Sequence, residues 1–382
     1  MIVEKFYQFF LVLSRVSGAF FALVSSFFVI YYLGKDVAGE YFLIFAISYF
    51  VAQIIRFGGE IEVLTEDSKV LSTSFSISII IIFLVYFLSF LLAVTNLFSY
   101  SFVCLFSVGI ASTELLSDGL KKKGYAACGV FTSSLFHLFM LPLLVFTEID
   151  LKYAALYSVF INVCGLLLIV FLLKSDYVLS FSIFKNIEQK VQAAFYNLVQ
   201  NVATPLFLYL FSFVASLSDV ADFRVSMRLA VLIHFSYLAV QQTIIRKSNR
   251  SENFVFNVLE VNKMLLVIGS FSFLCVLFSA LFLSYFYMGN KFFFFSLIWS
   301  LSFLMVTFFG GVMIRLAILR DFKSMFYSRI IAIVFVLLSY CLVLYSGFEN
   351  VFIYAFVFSL FFSVQVLIVK FFYNFKYNGG RL

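Results

Sequence analysis

Charged residues are scarce in this sequence: they make up 12% of its 382 residues, against about 25% in an ordinary soluble domain. Hydrophobic residues make up 64%. That balance excludes a soluble globular protein. The apolar runs are long and continuous, whereas the strands of a membrane β-barrel alternate apolar and polar residues over about 10 residues. The sequence therefore predicts an all-α polytopic membrane protein.

Chemically reactive groupings are missing as well. The five cysteines lie far apart inside apolar runs, so they form no metal-ligand spacing and no disulfide framework. The sequence has no phosphate-binding loop and no Ser/His/Asp grouping that the topology would bring together. We therefore expect no metal, no cofactor and no catalytic residues. Because the predicted loops are too short for an ATPase domain, any transport would be driven by ion gradients, the membrane potential or the substrate's own gradient.

Long apolar runs are what the sequence has instead. Each is long enough to cross a bilayer as a helix, which takes about 20 residues. About twelve spans are predicted, at residues 6–33, 38–56, 71–95, 98–117, 125–146, 151–174, 193–216, 219–242, 263–287, 292–314, 325–346 and 350–371.

Two stretches half a chain apart resemble each other. The tripeptide Asp-Val-Ala opens the second predicted span at Asp36 and the eighth at Asp219, each time after a long span and a very short loop. This match predicts two six-helix bundles around a central cleft, related as a parallel repeat about an axis along the membrane normal. The bundles would comprise residues 1–174 and 193–382, with a cytoplasmic linker at 175–192.

Positively charged residues lie almost entirely on one side of the predicted spans. Of the 26 lysines and arginines, 19 fall in segments on the side of the N-terminus, three in loops on the other side and four within spans. Since cytoplasmic loops are enriched in Lys and Arg, both termini are predicted to be cytoplasmic. The net charge of +7 follows from the same asymmetry and does not indicate nucleic-acid binding.

Three stretches of the sequence resemble a known family. They are residues 31–64, with their LG and GEY motifs, residues 219–242, their counterpart in the second half, and residues 310–323, which read GGVMIRLAILRDFK. The first and last are similar to the loop between the first two helices, and to the tenth helix with its basic turn, of the multidrug/oligosaccharidyl-lipid/polysaccharide exporter superfamily. Within it, the chain resembles the bacterial O-antigen and capsule repeat-unit flippases.

Arg224 and Arg228 interrupt the eighth predicted span. Four residues apart, they share one face of a helix, which Val231, Phe235 and Gln242 continue. A charge in hydrocarbon costs roughly 2.5–3.5 kcal/mol on insertion scales, so this face is expected to meet protein or water. Arg224 stands where the family usually has an aromatic residue, and it either lines a cavity or snorkels to the outer headgroups.

Arg15 lies about nine residues into the first span, roughly 14 Å deep at 1.5 Å per residue. Its setting, Ser14-Arg15-Val16-Ser17-Gly18, is similar to a Ser-Arg-x-x-Gly segment of the related peptidoglycan-lipid flippases. The resemblance implies a place in the substrate cavity. The alternative is a structural pair with a polar group of a neighbouring helix.

A polar face also runs along the seventh predicted span. Asn197, Gln200, Asn201 and Thr204 recur at helical spacing, just before Pro205, which should kink or loosen the helix. This face suits either a cavity wall or hydrogen bonding between helices.

Few titratable groups lie within the predicted spans. Glu114 and His137 are candidates for coupling transport to a proton, because a buried carboxylate and an imidazole can titrate near neutral pH. The alternative for each is a satisfied packing residue. Arg56 and Arg329, near the cytoplasmic ends of their helices, are expected to anchor the topology.

The resemblance implies a flippase of the bacterial cytoplasmic (inner) membrane. Its substrate would be an undecaprenyl-pyrophosphate-linked oligosaccharide, moved by alternating access through a cationic cavity, with membrane lipid and other polysaccharide-assembly membrane proteins as partners. One alternative is an O-antigen polymerase, which as a class carries a large periplasmic loop that this sequence lacks. Another is a drug or cation exporter of the same fold, which would need an acidic cavity.

Overall fold

The computed structural model of the chain describes residues 2–56, 72–94, 98–122, 187–250, 257–319 and 321–377. Within those ranges every regular element is helical, which confirms the all-α prediction there. The helices are α1 (Ile2–Arg56), α2 (Ser72–Val94), α3 (Phe98–Lys122), α4 (Ile187–Ser212), α5 (Leu217–Arg250), α6 (Val258–Leu283), which a π-helical turn (Ser284–Met288) extends, α7 (Asn290–Ile318), α8 (Phe322–Tyr345) and α9 (Val351–Tyr377).

Ten of the predicted spans fall on these helices. Helix α1 covers the first two spans, and Gly34, with a φ of 78°, breaks it between them. The predicted spans 125–146 and 151–174 lie outside the described residues, as does the predicted linker up to residue 186. The number of twelve spans, the repeat and the linker therefore stay predictions.

Five of the described helices are long and apolar enough to cross a membrane. A helix suits that environment because it satisfies its backbone hydrogen bonds internally, where hydrocarbon offers no partner. Large apolar side chains are exposed along α6 and α8: Phe271 is 69%, Phe278 72% and Leu338 61% exposed. Such surfaces favour contact with lipid. The chain is a multi-pass membrane protein.

The chain divides into two compact units, and their boundary falls within α4, between Tyr209 and Leu210. In the first unit, α3 packs against α1 and α2. The rings of Tyr41 and Phe106 meet edge to face, with 6.4 Å between centroids, and the Ser48 hydroxyl donates to the carbonyl of Val103 at 3.2 Å. These contacts hold the second half of α1 beside α3.

In the second unit, α7 is the central helix and packs against α5, α6 and α9. Two consecutive glycines permit the close approach. A Cβ on Gly310 would lie 2.6 Å from the Tyr237 ring of α5, and the N–H of Gly311 donates to Asn262 Oδ1 of α6 at 2.8 Å. Helix α5 is thereby held with a fixed side against α7.

Candidate functional site

The partly exposed side of α5 carries the two arginines of the eighth predicted span. Between residues 219 and 230 every side chain is buried except those of Arg224 and Arg228, and the partly exposed side continues through Val231 and Phe235. We call these four residues the arginine stripe. The structure thus places Arg224 and Arg228 on the same, partly exposed side of α5, as the four-residue spacing predicts.

The opposite side of α5 is fixed by specific contacts. The Phe223 ring stacks on that of Phe211, with 4.2 Å between centroids, and the Ser226 hydroxyl donates to the carbonyl of Phe292 at 3.0 Å. Rotating α5 to bury the arginines would break both contacts. The orientation of the arginine stripe therefore follows from the packing of the unit.

Two carboxylates lie at the start of α5. Asp219, in its first turn, accepts hydrogen bonds from Lys291 Nζ at 2.7 Å and from the Ser216 hydroxyl at 2.9 Å. A carboxylate at this position is favourable toward the helix dipole. Asp222 is buried on the same helix, 3% exposed. Because Lys291 already forms an ion pair with Asp219, we assign Asp219 to holding the ends of α5 and α7 together.

A buried charge network lies in the first unit, where α1 and α3 end side by side. Arg56 Nη2 donates to Asp118 Oδ2 at 2.7 Å, and Arg56 Nη1 donates to Gln53 Oε1 at 3.0 Å. Glu114 Oε2 lies 3.5 Å from Arg56 Nη1. Arg56 is only 2% exposed and Asp118 is fully buried, whereas Glu114 is 15% exposed. Two carboxylates one helical turn apart on α3 thus face one arginine of α1.

Asn201 of α4 joins this network. Its Nδ2 lies 3.5 Å from Gln53 Oε1, at the long limit for a hydrogen bond. We call Gln53, Arg56, Glu114, Asp118 and Asn201 the unit-1 network. Two residues singled out in the sequence, Glu114 and Asn201, therefore meet in one place.

Arg56 is expected from the sequence to anchor the topology, and that role stays a prediction. Its side chain is enclosed between helices and bonded to Asp118, because α3 supplies a carboxylate that the local sequence around Arg56 does not reveal. The sequence does indicate one half of this arrangement, because Glu114 and Asp118 are four residues apart and therefore share one face of a helix.

Several predicted site residues cannot be placed at the level of side chains. Arg15 lies on α1, and Asn197 and Gln200 lie on α4, but the structure describes only the backbone at these positions. His137 falls outside the described residues. Their roles remain predictions from the sequence.

A third cluster of charges closes the end of the second unit where α9 finishes and α8 begins. Asp321 accepts hydrogen bonds from Lys376 Nζ at 2.7 Å, the Tyr377 hydroxyl at 3.1 Å and the Ser324 hydroxyl at 2.9 Å. Burial raises the pKa of Asp321, but the hydrogen bonds from Lys376, Ser324 and Tyr377 outweigh it, so the pKa lies below its ordinary value. We call this end, which also carries Arg315 and Lys323, the basic end of unit 2.

Within the residues that the structure describes, no three His, Cys, Asp or Glu side chains gather in a way that could hold a metal ion. Guanidinium groups on an accessible helix face can bind carboxylate or phosphate through paired N–H donors.

Comparison with known proteins identifies the fold. No protein-family model matches the sequence, and no curated protein matches it. Among solved structures, the chain is similar to the lipid II flippase MurJ in its inward closed conformation, with a TM-score of 0.57 and 14% sequence identity. The match covers 97% of this chain and 87% of that protein. The chain therefore has a MurJ-like fold.

Proposed function

We propose that the protein is a secondary transporter that flips an undecaprenyl-pyrophosphate-linked oligosaccharide, an O-antigen or capsule repeat unit, across the bacterial cytoplasmic membrane. The observation that carries this proposal is the arginine stripe, which places two cations on the partly exposed side of α5 where the other side chains of residues 219–230 are buried. The apolar helices and the MurJ-like fold support it. Both termini would be cytoplasmic, and two six-helix bundles would alternate between inward and outward openings.

The chemistry of the substrate suits these arginines. A pyrophosphate is anionic, and a planar guanidinium binds phosphate oxygens through two parallel hydrogen bonds. At an accessible helix face in a site of low dielectric, each such bond is stronger than it would be in water. The oligosaccharide head group would pass along the cavity while the lipid tail stays in the bilayer.

Both bundles would contribute further binding residues. Arg15 of the first bundle would face the same anionic head group as Arg228, and Asn197, Gln200 and Asn201 of the second would offer hydrogen bonds to sugar hydroxyls. Other polysaccharide-assembly membrane proteins would deliver and receive the substrate.

The driving force would be an ion gradient, the membrane potential or the substrate gradient. Glu114 and His137 are the proposed coupling groups. Within the unit-1 network Glu114 is the more accessible of the two carboxylates beside Arg56, since it is 15% exposed and Asp118 is fully buried.

Surface polysaccharide in the host strain tests the proposal, with the chromosomal gene replaced by single variants. Arg15→Ala and Arg228→Ala should sharply lower surface polysaccharide at normal protein levels. Lys at either position should restore it in part, since Lys keeps the charge but lacks the paired donors. Lys323→Ala, which removes an exposed cation of the basic end, is the matched control. Unchanged polysaccharide in both arginine variants would contradict the proposal.

A further inference from the structure

Three buried polar side chains lie close together on α7. Ser296 and Ser300 are fully buried and Trp299 is 1% exposed. Among the residues that the structure describes, none forms a hydrogen bond with either hydroxyl or with the indole N–H. Ser296 precedes Trp299 by three residues and Ser300 by four, so both are its neighbours on the helix surface. We call these three residues the serine–tryptophan cluster.

Other buried serines of the chain find a partner within their own helix. The hydroxyls of Ser48, Ser107 and Ser112 each donate to the carbonyl oxygen four residues earlier. This bond is a common solution for a serine in a helix. Within the described helix α7, neither serine of the cluster makes it. Their hydroxyls therefore need a partner from elsewhere, because buried polar groups in native proteins nearly always bond to protein or to ordered water.

A contact between α5 and α7 explains why Ser296 lacks the usual bond. The carbonyl oxygen of Phe292, four residues before Ser296, accepts the hydroxyl of Ser226 of α5 at 3.0 Å. As a carbonyl inside a helix, it also accepts the backbone N–H of Ser296. A carbonyl oxygen has two lone pairs, and these two bonds occupy both. Ser296 therefore lies at the interface with α5 while its usual acceptor is already taken.

The indole of Trp299 is surrounded by apolar rings. Phe223 of α5 and Phe362 of α9 meet it edge to face, with 5.3 and 6.2 Å between ring centroids. The ring of Phe303 lies 6.2 Å away on α7 itself. An aromatic face is only a weak acceptor for an N–H group, whereas a buried tryptophan usually has a full hydrogen-bond partner. The indole N–H thus has the same need as the two hydroxyls.

We propose that the serine–tryptophan cluster binds ordered internal water in the core of the second unit. A buried water typically makes about three hydrogen bonds to polar groups that otherwise lack partners. Water suits the cluster better than a cation does, because the indole N–H can only donate, whereas a hydroxyl can donate and accept. The water would lie beside the bond from Ser226 to Phe292, which helps to hold the arginine stripe away from this core. The inference does not depend on the substrate of the proposed function.

Trp299 makes the inference testable, because it is the only tryptophan of the chain and its N–H can be observed alone. Ultraviolet resonance Raman spectra of the purified full-length protein in phosphatidylcholine nanodiscs report the hydrogen bonding of that N–H. We expect the band of a hydrogen-bonded N–H in the wild type and a shift toward that of a free N–H in Ser296→Ala. A free N–H in the wild type would overturn the inference.

Ser302→Ala is the matched control. Ser302 is a buried serine of the same helix, but its hydroxyl donates to the carbonyl of Ser359 on α9. The Trp299 band of this variant should equal that of the wild type. The buffer salt gives a second control: a hydrogen-bonded band that appears only when sodium replaces choline would assign the site to a cation and overturn the proposal.

Thermal unfolding of the same variants gives an independent readout. Replacing Ser by Ala raises helix propensity alike at positions 296, 300 and 302, so differences among the three variants report the hydroxyls. If water binds, Ser296→Ala and Ser300→Ala lose hydrogen bonds, and their melting temperatures should fall, as should that of Ser302→Ala. Higher melting temperatures in the first two would overturn the inference, since removing a buried polar group without a partner is stabilising.

Discussion

Arg56 and Arg228 both lie on long helices, yet their surroundings differ in kind. Arg56 is 2% exposed and bonded at 2.7 Å to Asp118, which is fully buried. Arg228 is partly exposed, on the same side of α5 as Arg224. The guanidinium of Arg56 is thus enclosed with a carboxylate of α3, whereas the side chain of Arg228 lies on a partly exposed helix face.

The two arginines differ in exposure, and we expect exposure to decide whether such a residue serves packing or binding. A buried pair stabilises the fold only as a pair, because each partner alone would be an uncompensated charge. An accessible guanidinium can instead take its counter-ion from a ligand. Mutation should therefore affect stability in the unit-1 network and binding at the arginine stripe.

The largest effect is expected from Asp118→Ala. Removing one partner of a buried ion pair typically costs about 3–5 kcal/mol, because the other charge stays buried. Thermal unfolding of the purified protein should show a large fall in melting temperature. Asp219→Ala is the matched control: its partner Lys291 is 55% exposed, so the loss should be at most about 1 kcal/mol. Equal losses in the two variants would break the comparison.

Arg228→Ala should show the converse pattern. The melting temperature should stay near the wild-type value, since Arg228 is partly exposed and the contacts that hold α5 lie on its other side. Binding of undecaprenyl pyrophosphate should weaken by about 1.5–3 kcal/mol, roughly 10- to 100-fold, the value of hydrogen bonds to a charged group. A destabilised Arg228→Ala protein with wild-type affinity would mean that this arginine is structural.

Glu114→Gln separates the roles of the two carboxylates that lie beside Arg56 in the unit-1 network. Because Glu114 lies 3.5 Å from Arg56 and is 15% exposed, its loss should destabilise the protein by only about 1 kcal/mol, less than the loss of Asp118. If Glu114 carries the coupling proton, surface polysaccharide should disappear although the protein remains in the membrane. Wild-type polysaccharide would dismiss Glu114 as a coupling group, and His137→Ala tests the other candidate in the same assay.

The smallest effect is expected from protonation of Asp321. Its pKa is lowered in the folded protein, so its hydrogen bonds contribute stability above the unfolded pKa of about 3.9. That contribution is lost as the pH falls through the lower, folded value. Asp321→Asn should therefore flatten the acid side of a plot of melting temperature against pH. An unchanged acid side would show that other carboxylates govern it.

The helices and the arginine stripe could be predicted from the sequence because both depend on local spacing. Continuous apolar runs mark the helices, and the four residues between Arg224 and Arg228 put both on one face. The packing of Phe223 and Ser226 then turns that face away from the core of the second unit. The cost of burying two charges favours the same orientation.

The unit-1 network could not be predicted in this way. Arg56 and Asp118 are 62 residues apart in sequence, and only the packing of α1 on α3 brings them to 2.7 Å. Depth in a span is therefore a weak guide to whether an arginine anchors, pairs or binds.

The most direct test of the central claim is flipping by proteoliposomes of a fluorescent undecaprenyl-pyrophosphate-linked oligosaccharide, followed by chemical quenching of the label that reaches the outer leaflet. The wild-type protein should flip the lipid without ATP. Arg228→Ala, at an unchanged melting temperature, should do so at least ten times more slowly, since about 1.4 kcal/mol of lost binding corresponds to tenfold. Flipping by Arg228→Ala at the wild-type rate would contradict the claim that the arginine stripe binds the anionic head group.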